Sequence, residues 1–397
     1  MADSRTIVVA GAGIGGLTAS LALAARGFRV IILERVERLE EVGAGLQLSP
    51  NASRVLIDLG LEPLLAPHVI APESISIMTA RTGKEIGRIP LGQAATFRYG
   101  APYWIVRRPD LQAALVAKVE DHPDIDLRLG AQFEDVAVYP KGVTVVQRRH
   151  TLRQQEPVLA LIGADGVWSS VRHQIFPDAQ PQFTGSIAWR GTVDATQLPR
   201  GFNARRVQLW MGTNAHLVAY PMADGKRINM VAVVSGKWNR PGWNEPGDVV
   251  EIANHFSAPQ WPIAARMMIG AVDGWRKWAL FAMPDSGAWN KGPIALLGDA
   301  SHAMLPFAAQ GAGMAIEDAA VIAKCLEGSP TNPTAAFAQY ASLRAPRVTR
   351  VTRTARKNGQ TYHLGGPAGF ARDQVIRLLG GSRLLSRQDW IYDWRLS

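Results

Sequence analysis

A single cysteine, Cys325, in 397 residues excludes an internal disulfide and any clustered cysteine metal site, and a reducing cytoplasm is the expected setting. Charged residues are also sparse, at 19% against 47% hydrophobic ones, a balance that at this length supports two domains and a sizeable buried core. Long apolar runs are missing: no stretch approaches the roughly 20 residues that a membrane-spanning helix needs, so no stable membrane insertion is expected. Met1 to Thr6 is polar and short and lacks the charged-then-apolar pattern of a signal peptide. Acidic residues are in deficit, 33 against 43 basic ones, which leaves a formal charge of +10 and raises the question of nucleic acid. The most regular basic run, Arg344, Arg347, Arg350, Arg353 and Arg356, has a three-residue spacing that lays it along one slowly drifting helix face. No nucleic-acid motif accompanies it, so it reads as a solvated face, and no nucleic-acid partner is expected. A positive field of this kind also attracts an anionic substrate or dinucleotide.

What is present is ordered from the start. Thr6 to Ala10 reads as a strand, Gly11 to Gly16 as a tight turn, Leu17 to Arg26 as a helix stopped by Gly27, and Phe28 to Leu33 as a second strand. From Ser186 to Gly236 the pattern is strand-dominated, with Ile187 to Arg190, Val207 to Trp210, His216 to Tyr220 and Ile228 to Val234 separated by Gly, Pro and Asn. Eight of the twelve tryptophans fall between Trp189 and Trp289, to line a planar-ligand pocket or to fill space under a sheet. After Trp275 the chain returns to α/β character, with a short strand from Pro293 to Leu297 and a helix from Gly311 to Leu326, so the nucleotide-binding unit is split in sequence. From Arg344 onward the pattern is helical and then irregular, closing on Asp389 to Tyr392.

Gly11-Ala12-Gly13-Ile14-Gly15-Gly16 matches a dinucleotide fingerprint in its required setting, after a strand and before a helix. Gly11 permits the turn, Gly13 lets backbone approach a pyrophosphate, and Gly16 lets the helix pack close, with Ile14 and Gly15 in the amide-rich helix start. Glu34 ends the second strand, 18 residues past Gly16, where a carboxylate accepts from ribose hydroxyls. The far end of the chain decides between dinucleotides. Gly298-Asp299 lies at a strand end, where an aspartate can hold a ribityl hydroxyl. Gly311-Ala312-Gly313-Met314 opens a helix whose bare amides suit a ring carrying negative charge.

The chain resembles the single-component FAD-dependent aromatic hydroxylases, in the salicylate hydroxylase and 3-hydroxybenzoate 6-hydroxylase branch. The resemblance rests on Gly11 to Gly16, Gly43 to Ala52, Arg108-Pro109-Asp110-Leu111, Gly163 to Arg172 and Gly298 to Asp318, and spans nearly the whole chain. It implies an α/β fold: a Rossmann-like FAD-binding domain split in sequence (1–72, 103–180 and 285–365), a β-sheet-rich substrate domain (73–102 and 181–284) and a C-terminal helical tail (366–397). By the same resemblance Glu34 and Arg35 bind the adenosine end, Arg108 the sugar and phosphate region, and Asp299 the ribityl and pyrophosphate region. Gly45 and Leu46 run beside the cofactor, and Asp165 belongs to a second dinucleotide motif. A local ion pair between Asp165 and Arg172 is the plain alternative for that last motif.

The family's chemistry uses FAD, NADH or NADPH, and O2, passing through a flavin hydroperoxide that attacks an electron-rich ring, so no metal is expected and the pocket must exclude water. The implied partner is a small aromatic acid, and the chain is expected as a monomer or homodimer. A base near a ring hydroxyl would help, and histidine suits neutral pH. His216, in a strand resembling the branch's His-x-Val-x-Tyr-Pro pattern, is the candidate, with Tyr220 on the same face by alternation. Pro306 and Gln47 complete the proposed substrate contacts, and His302 reads as a structural neighbour of the flavin. Leu305-Pro306-Phe307 departs from the 3-hydroxybenzoate 6-hydroxylase branch, which carries glutamine there, and follows the salicylate hydroxylase pattern. A non-phenolic substrate and a flavin protein without turnover are the competing functions.

Overall fold

The computed structural model describes residues 5–39, 45–222, 225–239, 242–285 and 289–396. Gly43 and Ala44 of the second motif, and Met1 to Ser4, lie outside them. Strand Thr6–Ala10 sits at the centre of a six-stranded sheet, pairing in parallel with Arg29–Glu34 on one side and Ala160–Gly163 on the other. Strands in such a position are covered on both faces and read as continuous apolar runs, which is why Ile7, Val8 and Val9 are fully buried. Strand Ile294–Leu296, from far down the sequence, adds in parallel beside Ala160–Gly163. Helix Gly311–Gly328 then packs on helix Ile14–Ala24. The chain is therefore an α/β protein whose nucleotide-binding unit is completed late, as expected.

The second layer is an eight-stranded mixed sheet in the order Asn244–Gly247, Trp275–Ala282, Gln182–Asp194, Arg227–Ser235, Ala215–Met222, Val207–Gly212, Ser74–Thr79, Glu85–Pro90. Alternation gives it two unlike faces. One face carries Trp189, Trp210 and Trp275, which pack with Trp261 against helices Val249–His255 and Ile263–Gly270. Four of the clustered tryptophans thus fill space under the sheet. The other face carries Ala188, Arg190, Asn229, Val231, Val233, His216 and Tyr220, set by cross-strand pairs such as Tyr220 with Asn229 and His216 with Val233. Its register directs these residues at strand Gly45–Leu48 and the short turn Pro306–Ala308.

Two expectations fail. The C-terminal tail is helical, as the family resemblance implied, and not irregular as the residue pattern suggested: helix Pro333–Tyr362 begins before Arg344, and helices Gly366–Ser386 and Asp389–Tyr392 follow. Nor is the whole arginine run a solvated face, although Arg350 and Arg353 are exposed. Arg344 is 1% exposed and binds Glu317 at 2.6 Å and Asp318 at 2.7 Å, while Arg347 reaches both oxygens of Glu317. Arg350 stacks on Trp390, and Arg353 and Arg356 hold Asp285. The spacing was read correctly as one helix face, but a face pattern does not say whether water or buried acid covers it.

This network locks three distant segments together. Glu317 Oε1 accepts from Asn51 Nδ2 at 2.6 Å, Gln310 Nε2 donates to Ser49 Oγ, and Asp318 Oδ2 accepts from the Gly298 amide and contacts His302 Nε2 at 2.5 Å. Burial by itself pushes the Asp318 carboxyl up, but His302 and Arg344 more than reverse this and hold it below its usual range. Burial likewise opposes the charge on Arg344, and Glu317 with Asp318 overcomes it. Removing one partner of such a cluster leaves the other charges buried and uncompensated. Arg344→Met should cost roughly 3–5 kcal/mol in urea unfolding and loosen cofactor retention. A loss under about 1 kcal/mol would show the network to be dispensable.

Candidate active site

Each glycine of the first turn has a separate physical reason. Gly11 adopts φ +109°, and a β-carbon there would sit 2.5 Å from the Ala164 carbonyl oxygen. A β-carbon on Gly16 would overlap the Gly11 carbonyl oxygen, so this glycine serves helix packing. Gly13 is different: its backbone is ordinary (φ −74°, ψ 177°), and no atom lies within 4 Å of a β-carbon built on it. The protein itself does not demand glycine at 13, and only something occupying that open space would. Helix Ile14–Ala24 starts there with no side-chain cap, leaving the amides of Ile14, Gly15 and Gly16 to an anion. The second glycine-rich helix start is built alike, since Gly311–Gly328 also lacks a side-chain cap and a β-carbon on Gly311 meets nothing within 4 Å. Its next residues, Ala312, Gly313 and Met314, continue the helix, with Gly313 facing Gln310 and Asn51.

Glu34, Asp165 and Asp299 lie at or just past the carboxyl ends of parallel strands of one sheet, where open α/β sheets bind ligands. Glu34 already accepts the Ala12 amide at 2.8 Å and the Val36 amide at 3.2 Å, which fixes its carboxylate beside the turn. Arg35 and Arg108 are exposed, as is Asp299, which follows Gly298 at φ +59°. Asp165 does not form the local ion pair with Arg172. Its Oδ2 takes the amides of Ser170 and Val171, whereas the Arg172 guanidinium donates to the carbonyls of Val167, Ala179 and Ala300. Burial raises the Asp165 carboxyl, and the bonds from Ser169 and the amides partly offset it.

Two uncapped helix starts, an open space that only glycine leaves free, and carboxylates at the strand ends of one parallel sheet fit an elongated dinucleotide. The profile of the FAD binding domain family matches residues 4–355. The chain belongs to that family. It is 35% identical over 388 residues to the 3-amino-4-hydroxybenzoate 2-monooxygenase of Streptomyces platensis, covering 97% of this chain and 95% of that one. To the 3-hydroxybenzoate 6-hydroxylase of Klebsiella oxytoca it is 31% identical, covering 100% and 98%. A salicylate hydroxylase solved as a substrate complex shares the fold, with a TM-score of 0.84 at 24% identity over 100% of this chain and 97% of that one. The protein is an FAD-dependent monooxygenase.

On the sheet face that meets strand Gly45–Leu48 and the turn Pro306–Ala308 in this monooxygenase, His216 is 2% exposed and contacts His363, its Nδ1 lying 2.8 Å from His363 Nε2. Burial first, and His363 second, push the His216 imidazole well below its usual value, so it is neutral. Phe307 and Tyr362 meet its ring edge-on at 5.1 and 5.4 Å between centroids. Tyr220 shares the face as alternation required, but its hydroxyl is committed to the Gly45 carbonyl oxygen at 2.5 Å. Gln47 is likewise engaged, accepting from Tyr103 Oη at 2.8 Å. Pro306 opens the turn that places Phe307, and Leu305 packs with Ala188 and Val233. His302 lies in the buried acid network, a structural position.

Three residues on or against this face escaped the sequence reading. Arg190 Nε is enclosed without a partner, and the guanidinium has no ion pair among the described residues, only the face of Trp278 at 5.4 Å. Asn229 is fully buried with neither Oδ1 nor Nδ2 hydrogen-bonded. A charge inside the apolar run Ile187 to Val193 was the available signal for Arg190. His363 follows a helix end, where no periodicity marks it.

The glycine geometry makes a direct test. Gly13→Ala should keep or slightly raise the unfolding midpoint, because its backbone suits alanine, while the protein loses bound FAD. Gly16→Ala should instead destabilise the fold by roughly 1–3 kcal/mol through overpacking. Flavin absorbance and thermal unfolding of both variants check this, and full FAD retention by Gly13→Ala would contradict it.

Proposed function

We propose that this monooxygenase hydroxylates a small aromatic carboxylic acid bearing a ring hydroxyl, with NADH or NADPH as reductant and O2 as the oxygen source. The observation that carries the reading is the pair of unsatisfied polar groups on the pocket face. A half-buried guanidinium with an enclosed, unpartnered Nε and no acid beside it, and a fully buried amide with four empty hydrogen-bonding positions, are costly unless a ligand meets them. Arg190 and Asn229 lie on neighbouring strands, two residues out of register, within reach of one bound carboxylate. Burial lowers the Arg190 guanidinium from its usual value, yet an arginine stays charged at neutral pH, and an anion is its natural complement. The names of the similar hydroxybenzoate monooxygenases point to the same chemical class.

The sheet built from 73–102 and 181–284 then forms the substrate side, and the remaining segments hold FAD. The turn at Gly13 with the amides of Ile14, Gly15 and Gly16 would hold the pyrophosphate, and Glu34 and Arg35 the adenosine end. Arg108 and Asp299 would hold the sugar chain, and Gly45, Leu46 and the Gly311 to Met314 amides the ring system, with Gly298 permitting their approach. When bound, FAD supplies the reducing equivalents and the activated oxygen. The protein's part is orientation and dryness: Arg190 and Asn229 fix the carboxylate, Val231, Val233, Ala188, Leu305 and Pro306 exclude water, and Tyr220 closes the wall against Gly45. His216, which has no other described partner on Nε2, would take the ring-hydroxyl proton there.

The test pairs two variants on the FAD-loaded enzyme. His216→Ala should retain flavin and lower coupled hydroxylation of 3-hydroxybenzoate by roughly 10²–10⁴-fold, with partial recovery at high pH where the phenol ionises unaided. Arg190→Met should weaken binding of 3-hydroxybenzoate by roughly 10–100-fold, the worth of a charged hydrogen bond, while leaving phenol binding unchanged. Peroxide release is measured alongside, since uncoupling imitates lost chemistry. Full coupled activity in His216→Ala would favour a non-phenolic substrate, and equal loss of phenol binding in Arg190→Met would remove the carboxylate assignment.

A further inference from the structure

The imidazole pair at the pocket wall makes a demand that a lone catalytic base does not. Two ring nitrogens 2.8 Å apart bond only when one carries a proton and the other a lone pair. Burial holds His363 at about 4 and, with His363 beside it, pushes His216 well below its usual value, so both rings are neutral across the physiological range, and the bond can run in either direction. His216 is enclosed at 2% exposure, and its Nδ1 faces His363. His363 is half-buried, at the end of helix Pro333–Tyr362.

The surroundings hold the pair in place from both sides. The His363 carbonyl accepts the amide of Asn214, two residues before His216, and a β-carbon on Gly365 would overlap the Thr213 side chain. Phe307, which braces His216, is fixed by Asn358 Nδ2 and Tyr362 Oη, both donating to its carbonyl oxygen, and by contact with Gly359. The ionisable groups on the packed elements are not competitors for the proton. Tyr362 is pushed up to about 12 by burial, and Tyr103 and Tyr392 are raised in the same way. Arg372 is paired with Asp373 at 2.8 Å and spends its other donors on the carbonyls of Thr361, Tyr362 and Leu364. Asp373 also accepts from Thr79.

We propose that His216 and His363 form a two-imidazole relay that carries the ring-hydroxyl proton of a bound phenolic acid from the dry pocket to water. The inference rests on the phenolic-acid reading of the substrate. The resting pair has Nδ1–H of His216 donating to Nε2 of His363. The substrate O–H proton passes to His216 Nε2 as the Nδ1 proton passes to His363 Nε2, and His363 releases its own Nδ1 proton to water. One proton leaves the pocket, the ring oxygen becomes a phenolate, and both imidazoles end neutral. The reverse path resets the tautomers when product departs. His363 touches no substrate, so it is a positioning and relay residue acting through His216.

Proton release separates a relay from a brace. Oxidised, FAD-loaded enzyme is mixed with 3-hydroxybenzoate in weak buffer, with binding followed by the flavin absorbance change and proton release by an indicator dye. In the wild type, release should keep pace with binding. His363→Gln keeps an acceptor for the His216 Nδ1 proton but cannot pass it on, and should bind the ligand yet release the proton at least ten-fold more slowly. His363→Ala should be equally slow and be accelerated by added imidazole. Should the alanine variant fail to retain flavin, the glutamine variant decides alone. Wild-type release kinetics in His363→Gln, or binding without proton release in the wild type, would overturn the relay and leave the substrate reading standing. Failure of 3-hydroxybenzoate to perturb the wild-type flavin spectrum would overturn both.

Discussion

The buried charge cluster of Arg344 and Arg347 with Glu317 and Asp318 is the constraint on which the site depends. Its acids sit in the first turns of helix Gly311–Gly328, and its hydrogen bonds reach Asn51, Gln310, His302 and the Gly298 amide. The segment around Asn51 is thereby held against segments around Gly298, Glu317 and Arg344 that follow it by more than two hundred residues. A buried cluster of this kind adds little net stability over an apolar replacement, so its worth lies in register. A slip of helix Gly311–Gly328 would strand at least one charge, which is a sharper penalty than hydrophobic contacts impose on a sliding helix.

With the backbone so fixed, the site can leave groups unsatisfied on purpose. Among the described residues, the starts of helices Ile14–Ala24 and Gly311–Gly328 carry no side-chain cap, and Arg190 Nε and the Asn229 amide have no protein partner, while most buried polar groups around them are paired. Such positions cost free energy in the empty protein and are recovered on binding. In the proposed reading an aromatic acid meets the second pair and FAD the first. The tyrosines of the wall do the opposite work: Tyr220 and Tyr103 have hydroxyls committed to Gly45 and Gln47, and burial keeps them neutral.

The nucleotide-binding half was legible because its signals are local. A glycine pattern, the strand before it and the helix after it are adjacent in sequence, and the reasons for Gly11 and Gly16 are contacts within that unit. The strand holding His216 was legible for the same reason, since alternation assigns its faces. What was not legible required partners far away in sequence. Arg344 and Glu317 are indistinguishable from solvated charges until two helices pack, the tryptophans show their face only once strand register is known, and His363 acquires meaning only beside His216. The Asp165 and Arg172 alternative failed by geometry of a different sort, because backbone groups outcompeted the nearer charge for both side chains.

The central claim is that this flavoprotein transfers one oxygen atom from O2 to an aromatic acid. Its most direct measurement is mass spectrometry of the product formed by FAD-loaded enzyme from 3-hydroxybenzoate and NADH under isotopically labelled dioxygen. The account predicts a dihydroxybenzoate carrying a single labelled oxygen, whereas a product whose new oxygen comes from water, or NADH consumption with only peroxide formed across a panel of hydroxybenzoates, would contradict it.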